Sequence, residues 1–135
     1  MRIILDTNIY VSALISKNFR QRLSRIFDDL SIHILTDSLL MAEIEEVITR
    51  PKISKYLTPT DRDSFVTYLK NRCELVDVTS LVSISPDPDD DFLLALSKDG
   101  QANYLITGNK RDLLDLKQFE DTRIVTLTEL LSLLG

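Results

Sequence analysis

Ile3, Ile4 and Leu5 run together near the start of the chain and stop on Asp6-Thr7-Asn8. Three consecutive apolar residues read as a short strand buried on both faces, because successive strand side chains point to opposite sides. Such a strand belongs inside a parallel sheet whose two faces are covered by helices. Its end is polar. An acid, a hydroxyl and an amide stand at the carboxyl end of the strand, the rim at which open α/β sheets bind ligands. Asp6 or Asn8 also suits a plainer role, capping a helix that starts near Ile9, and on this stretch alone capping is the commoner use.

The rest of the chain repeats the alternation. Residues 9–15 and 20–30 read as helices, the second with Leu23, Ile26, Phe27 and Leu30 at helical spacing. Residues 31–35 form a second strand, in which the lone His33 reads as structural. Thr36-Asp37-Ser38 supplies caps for a helix over 39–49, which Arg50-Pro51 ends. A short helix or turn at 52–57 precedes Thr58-Pro59-Thr60-Asp61, a strong start for a helix running to about Cys73. Residues 74–78 are a third strand and 79–90 the longest loop. The acidic run Asp87-Pro88-Asp89-Asp90-Asp91 leads into a helix ending near Gly100. Residues 103–107 and 123–127 are the fourth and fifth strands, and Thr128 caps a last helix through Leu134. Strands alternating with helices predict a three-layer α/β/α sandwich around a mainly parallel sheet of about five strands. At 135 residues, the whole of 1–135 is expected to form one domain.

Several classes fall away. No apolar run approaches the roughly 18 residues that span a bilayer, so no membrane association is expected. The N-terminus lacks the pattern of a secretory signal. Cys73 is the single cysteine, which excludes an intrachain disulfide and a cysteine-rich zinc site and suits the cytoplasm. Gly100, Gly108 and Gly135 form no dinucleotide-binding or phosphate-loop fingerprint. No nucleophile-elbow serine or Cys–His pair is present. A phosphoacceptor signalling domain would need a lysine near the fifth strand, and 123–127 offers none.

What remains are acids far apart in sequence. Asp6 ends the first strand and Asp112 follows the fourth, where it also suits capping of the Leu113-Leu114 turn. Glu43 lies along the apolar stripe of its helix, with a salt bridge to Arg50 as its plainer reading. Asp91 opens the helix before the fourth strand, a start that spacing alone assigns to the opposite rim unless the long loop climbs back. Two carboxylates roughly 4 Å apart repel by about 4 kcal/mol at an effective dielectric near 20. Convergence of the four therefore requires a protonated member or a divalent cation. An all-oxygen set without His or Cys favours Mg²⁺ or Mn²⁺, and the chemistry that suits such an ion is phosphodiester hydrolysis by an activated water. Thr7, Asn8 and Thr107 are placed to orient the carboxylates.

In this order the residues resemble the PIN-domain family, and in particular the toxin components of prokaryotic toxin–antitoxin pairs. The resemblance runs through Leu5-Asp6-Thr7-Asn8, Leu40-Met41-Ala42-Glu43-Ile44, Arg50-Pro51-Lys52 with Lys55-Tyr56-Leu57, Asp87-Pro88-Asp89-Asp90-Asp91 with Phe92-Leu93-Leu94-Ala95, and Ala102-Asn103-Tyr104-Leu105-Ile106-Thr107-Gly108-Asn109. It implies a metal-dependent endoribonuclease, an antitoxin partner and a homodimer. It implies Asp6, Glu43 and Asp91 as catalytic, metal-binding acids with Asp112 as a fourth, and it implies that the loop returns Asp91 to the Asp6 rim. Asn109 stands where some relatives carry an acid, and Asp90 either replaces Asp91 or supports it. An RNA substrate must be reconciled with a net charge of −5. Arg20, Arg22, Arg25, Lys52, Lys55, Lys110 and Arg111 are the candidates to grip phosphates, Lys110 and Arg111 foremost because they adjoin the rim. The alternative from another class is a catalytically weak interaction protein that keeps the fold to bind RNA or a partner.

Overall fold

The computed structural model describes residues 1–108 and 110–135. The chain opens with strand β1 (Arg2–Leu5) and helices α1 (Thr7–Ile15) and α2 (Lys17–Phe27). Strand β2 (His33–Thr36) leads to α3 (Ser38–Val47), the single turn α4 (Pro51–Ser54) and α5 (Pro59–Arg72). Strand β3 (Glu74–Leu75) is followed by a long irregular segment, a 3₁₀ turn over Pro88–Asp90 and α6 (Asp91–Asp99). The chain closes with β4 (Tyr104–Ile106), α7 (Arg111–Leu116), β5 (Gln118–Phe119), β6 (Thr122–Val125) and α8 (Leu127–Leu134).

Among the described residues the strands form one six-stranded sheet in the order β3-β2-β1-β4-β6-β5. All pairs are parallel except β5 with β6. Ile3, Ile4 and Leu5 are completely buried, so β1 is covered on both faces as its apolar run requires. The chain starts in mid-sheet, builds outward through β2 and β3, then crosses to the other side of β1 to lay down β4 and β6. Strand order therefore reverses between β1 and β4, which makes a crevice at their carboxyl ends.

Local signals set most boundaries. Ser16 caps α2 three residues earlier than the apolar spacing implied, accepting the Phe19 amide at 3.2 Å. Thr58 and Asp61 form the reciprocal capping box expected of α5. The last helix starts at Leu127, because Thr126 and not Thr128 accepts the Glu129 amide. Two strand expectations need correction. β3 pairs over only two residues, and the sixth strand, β5, was missed. It is the first arm of a hairpin turning at Glu120-Asp121, with Glu120 at φ +51°. Two residues are too few for periodicity to register.

The expected misplacement of Asp91 also dissolves. α6 delivers its last turn to the amino end of β1, where Arg2 Nε donates to the Gly100 carbonyl at 2.8 Å. The opposite end of α6 therefore lies toward the carboxyl rim. A crossover helix runs back against its strands, so its N-terminus starts at the rim the preceding strand reaches, and no climbing loop is needed.

Candidate active site

Asp6 is fully buried where β1 ends. Capping and site roles prove compatible, because they use different oxygens. Oδ1 accepts the Ile9 amide at 3.1 Å and caps α1, while Oδ2 accepts the hydroxyl hydrogen of Thr107. Thr107 follows β4, so this bond spans the crevice at the reversal of strand order. Burial pushes the Asp6 carboxyl above its ordinary pKa, against the opposing pull of the Thr107 hydroxyl, the Ile9 amide, Lys110 and the Asn8 amide.

Lys110 brings the other acids in. Its ammonium lies 2.9 Å from Asp90 Oδ1, a buried oxygen served by that cation alone among the described residues. Burial pulls the Lys110 pKa down, but Asp90, and beyond it Asp6 and Glu43, outweigh this and raise it. Carboxylates from β1's end, α3 and the turn before α6 thus act on one cation. Glu43 is half-buried on α3. The partner of Arg50 is Glu46 at 2.7 Å, so the salt bridge suggested for Glu43 is taken by its neighbour.

Asp91 turns elsewhere. Its Oδ1 accepts the amides of Ser85 at 2.8 Å and Ile84 at 3.2 Å, which ties down the preceding loop. It lines a separate hollow of about 650 Å³ together with Asp37, Leu75 and Phe92. Asp112 is exposed in the first turn of α7. It lines a smaller hollow of about 290 Å³ with Asn8, Asp87, Asp90, Lys110 and Arg111. The structure therefore pairs Asp90 with Lys110, lets the charges of Asp6 and Glu43 act on the same ammonium, sets Asp112 and Arg111 at the mouth, and ties Asp91 Oδ1 to the loop. Asn109 lies outside the described residues. Asp87 was not singled out in sequence, although its place in the acidic run was the available signal.

Thr7, the residue after Asp6, is buried, and its hydroxyl has no hydrogen-bond partner among the described residues. Such an orphan in a buried polar site calls for a ligand or water. Hard carboxylate and hydroxyl oxygens suit Mg²⁺ or Mn²⁺, and the half-buried Lys110 ammonium marks where positive charge is stabilised. No three acidic, histidine or cysteine side chains among the described residues stand close enough together to form a ready-made metal cage. The donors fit a divalent ion in kind, and Lys110 supplies the cation between them in this structure.

Comparison with known proteins agrees with this architecture. A family model described as PIN domain matches residues 2–111, and the chain belongs to that family, whose members are generally nucleases. Among solved structures it is similar to a chain of VapBC2 from Rickettsia felis bound to a DNA fragment from their promoter. That likeness has a TM-score of 0.60 at 17% identity and covers 92% of this chain and 97% of the other. At that identity the likeness establishes the fold. No curated protein matches significantly. No helix among the described residues is long and apolar enough to cross a membrane.

Proposed function

We propose that this protein is a Mg²⁺- or Mn²⁺-dependent endoribonuclease acting in the cytoplasm as the toxin of a toxin–antitoxin pair. The observation that carries the nuclease reading is the buried Asp6 bonded across the β1–β4 crevice of a PIN-family fold to Thr107, beside a Lys110 paired with Asp90 and acted on by Asp6 and Glu43. Asp6, Glu43 and Asp90 are the residues that would hold the ion, with Asp112 at the mouth as a further acid and Asp91 positioning the segment that carries Asp90. A divalent ion bound there supplies a water of lowered pKa and neutralises charge growing on the phosphoryl oxygens. Thr107 orients the Asp6 carboxylate, and Thr7 and Asn8 stand beside it. Lys110 and Arg111 line the hollow and would contact the phosphate backbone as it crosses.

Cleavage of single-stranded RNA and DNA should be measured with Mg²⁺, with Mn²⁺ and with chelator, beside Asp6→Asn. RNA cleavage that needs the ion and is lost in the variant is expected. Cleavage in chelator, or full activity in Asp6→Asn, overturns the mechanism.

The toxin role and the antitoxin partner rest on the sequence resemblance and the structural likeness to VapBC2. A homodimer is supported by Leu39, Leu75 and Leu81, which are exposed around the larger hollow. The apolar residues of α5 add nothing to this surface, since Leu69 is buried and Phe65 and Val66 half-buried. A monomer mass by light scattering would count against the dimer. A second reading, the catalytically weak interaction protein, is favoured by the ammonium already seated among the acids. Calorimetry showing no Mg²⁺ or Mn²⁺ binding while RNA or partner binding persists would select it.

A further inference from the structure

The candidate active site has a neighbour along the same rim. A hollow of about 360 Å³ is lined by Asn8, Phe19, Arg22, Gly108 and Thr128 among others. Asn8 lines this hollow and the acidic one alike, so the two adjoin across that residue. A polynucleotide with one phosphodiester at the acids must lay its next nucleotides along the rim, and this hollow lies on one of the two ways out.

The structure sorts the basic side chains that the sequence ranked behind Lys110 and Arg111. Arg20 spends its guanidinium on the carbonyls of Ala13 and Leu14, and Arg25 on those of Leu134 and Gly135. Lys55 lies over the Tyr56 ring. Arg22 differs. Its Nη2 donates to Thr128 Oγ1 at 2.7 Å, and its guanidinium carbon lies 5.7 Å from the centroid of the Phe19 ring. A hydroxyl from α8 and a ring from its own helix hold the group in place, and among the described residues no carboxylate forms an ion pair with it. A guanidinium has five N–H donors and matches phosphate oxygens in pairs. Among the described residues, Thr128 Oγ1 is the one protein acceptor of those donors.

We propose that this hollow is a subsite for the nucleotide flanking the scissile phosphate of single-stranded RNA, with Arg22 binding its phosphate and Phe19 and Thr128 positioning Arg22. The proposal rests on the nuclease reading for its substrate, but binding can be read without cleavage. A short fluorescein-labelled oligouridine should be titrated in chelator, following anisotropy across a range of salt, against wild type, Arg22→Gln, Thr128→Val and Arg25→Gln. Melting curves establish that each variant is folded. Arg22→Gln is expected to weaken binding about tenfold, the loss of one charge-assisted contact to phosphate. The dependence of log K on log salt should become shallower by about 0.7, the loss of one single-strand phosphate contact. Thr128→Val should weaken binding less, and Arg25→Gln should stay within about twofold because its guanidinium is already committed. Oligouridine binding that Arg22→Gln leaves unchanged in strength and salt slope overturns the subsite and spares the nuclease reading. Arg22-dependent binding without cleavage in Mg²⁺ or Mn²⁺ does the reverse. Absence of binding to the folded wild-type chain overturns the subsite, whereas ion-dependent cleavage by that same chain would uphold the nuclease.

Discussion

Asp6 and Asp37 are two copies of one local device. Each follows a parallel strand, β1 or β2, and each caps the next helix, through Ile9 N at 3.1 Å and Leu40 N at 2.8 Å. Both are buried, and burial raises the pKa of both. Their neighbours differ. Across from Asp6 stands the end of β4, with Thr107 on its second oxygen and Lys110 nearby. Beyond Asp37 stands β3, two residues long, and a hollow lined by Leu39, Leu75, Val76 and Val78 as well as by Asp77 and Asp91. No charged group helps hold the Asp37 carboxylate ionised. A buried capping acid is thus a structural part by default, and it becomes a candidate catalytic group where the strand order reverses and a second polar strand end faces it.

The sharpest test of this contrast substitutes each acid by Asn, which caps a helix about as well as Asp. Asp6→Asn is expected to lower RNA cleavage by roughly 10²–10³-fold, the loss of several kcal/mol of transition-state stabilisation. Asp37→Asn should stay within about twofold, and equal losses in the two variants would break the comparison. Removing the neighbour is the next step. Thr107→Val makes Asp6 resemble Asp37, and isothermal titration with Mn²⁺ should show affinity falling about 10–100-fold.

Lys110→Met withdraws the cation from Asp90 and should lower thermal stability in chelator by several degrees, about 1–2 kcal/mol for a pair with the lysine partly exposed. Added Mn²⁺ should recover part of that loss, and an unchanged melting temperature would show that the ion pair contributes nothing. The smallest effect is on pH dependence. A carboxyl with a raised folded pKa contributes stability that is present below the ordinary Asp value and lost as pH rises through the raised one. Asp6→Asn and Asp37→Asn should each flatten that decline in melting temperature through the carboxylate range. A steeper decline in either variant would show that its carboxyl is not raised. Asp29 and Asp99, held low by hydrogen bonds to Ser31 and Ser80, act in the opposite direction in both variants.

Most of the fold was legible because its signals are local. The Ile3-Ile4-Leu5 run, the Thr58–Asp61 box and the alternation of elements each depend on neighbours in sequence. β5 was not legible, since its two residues acquire meaning only by pairing with β6. The site was legible in kind but not in detail. Asp90 and Asp91 are adjacent, and successive helical residues diverge by about 100°. The 3₁₀ turn at Pro88–Asp90 sets the phase, so that Asp90 meets Lys110 while Asp91 meets the loop. Arg22 was one of seven candidate cations, ranked behind Lys110 and Arg111, until α8 brought Thr128 against it.

The sequence by itself determined a parallel α/β sheet with a polar rim and the acids able to serve it, because apolar runs, caps and residue chemistry are properties of short stretches. Only the tertiary structure decided which acids act on a shared cation, which buried Asp faces a second strand end and which arginines are committed to backbone carbonyls. Those are relations between segments tens of residues apart, and they exist only once the chain has crossed from β3 to β4 and closed the crevice beside β1.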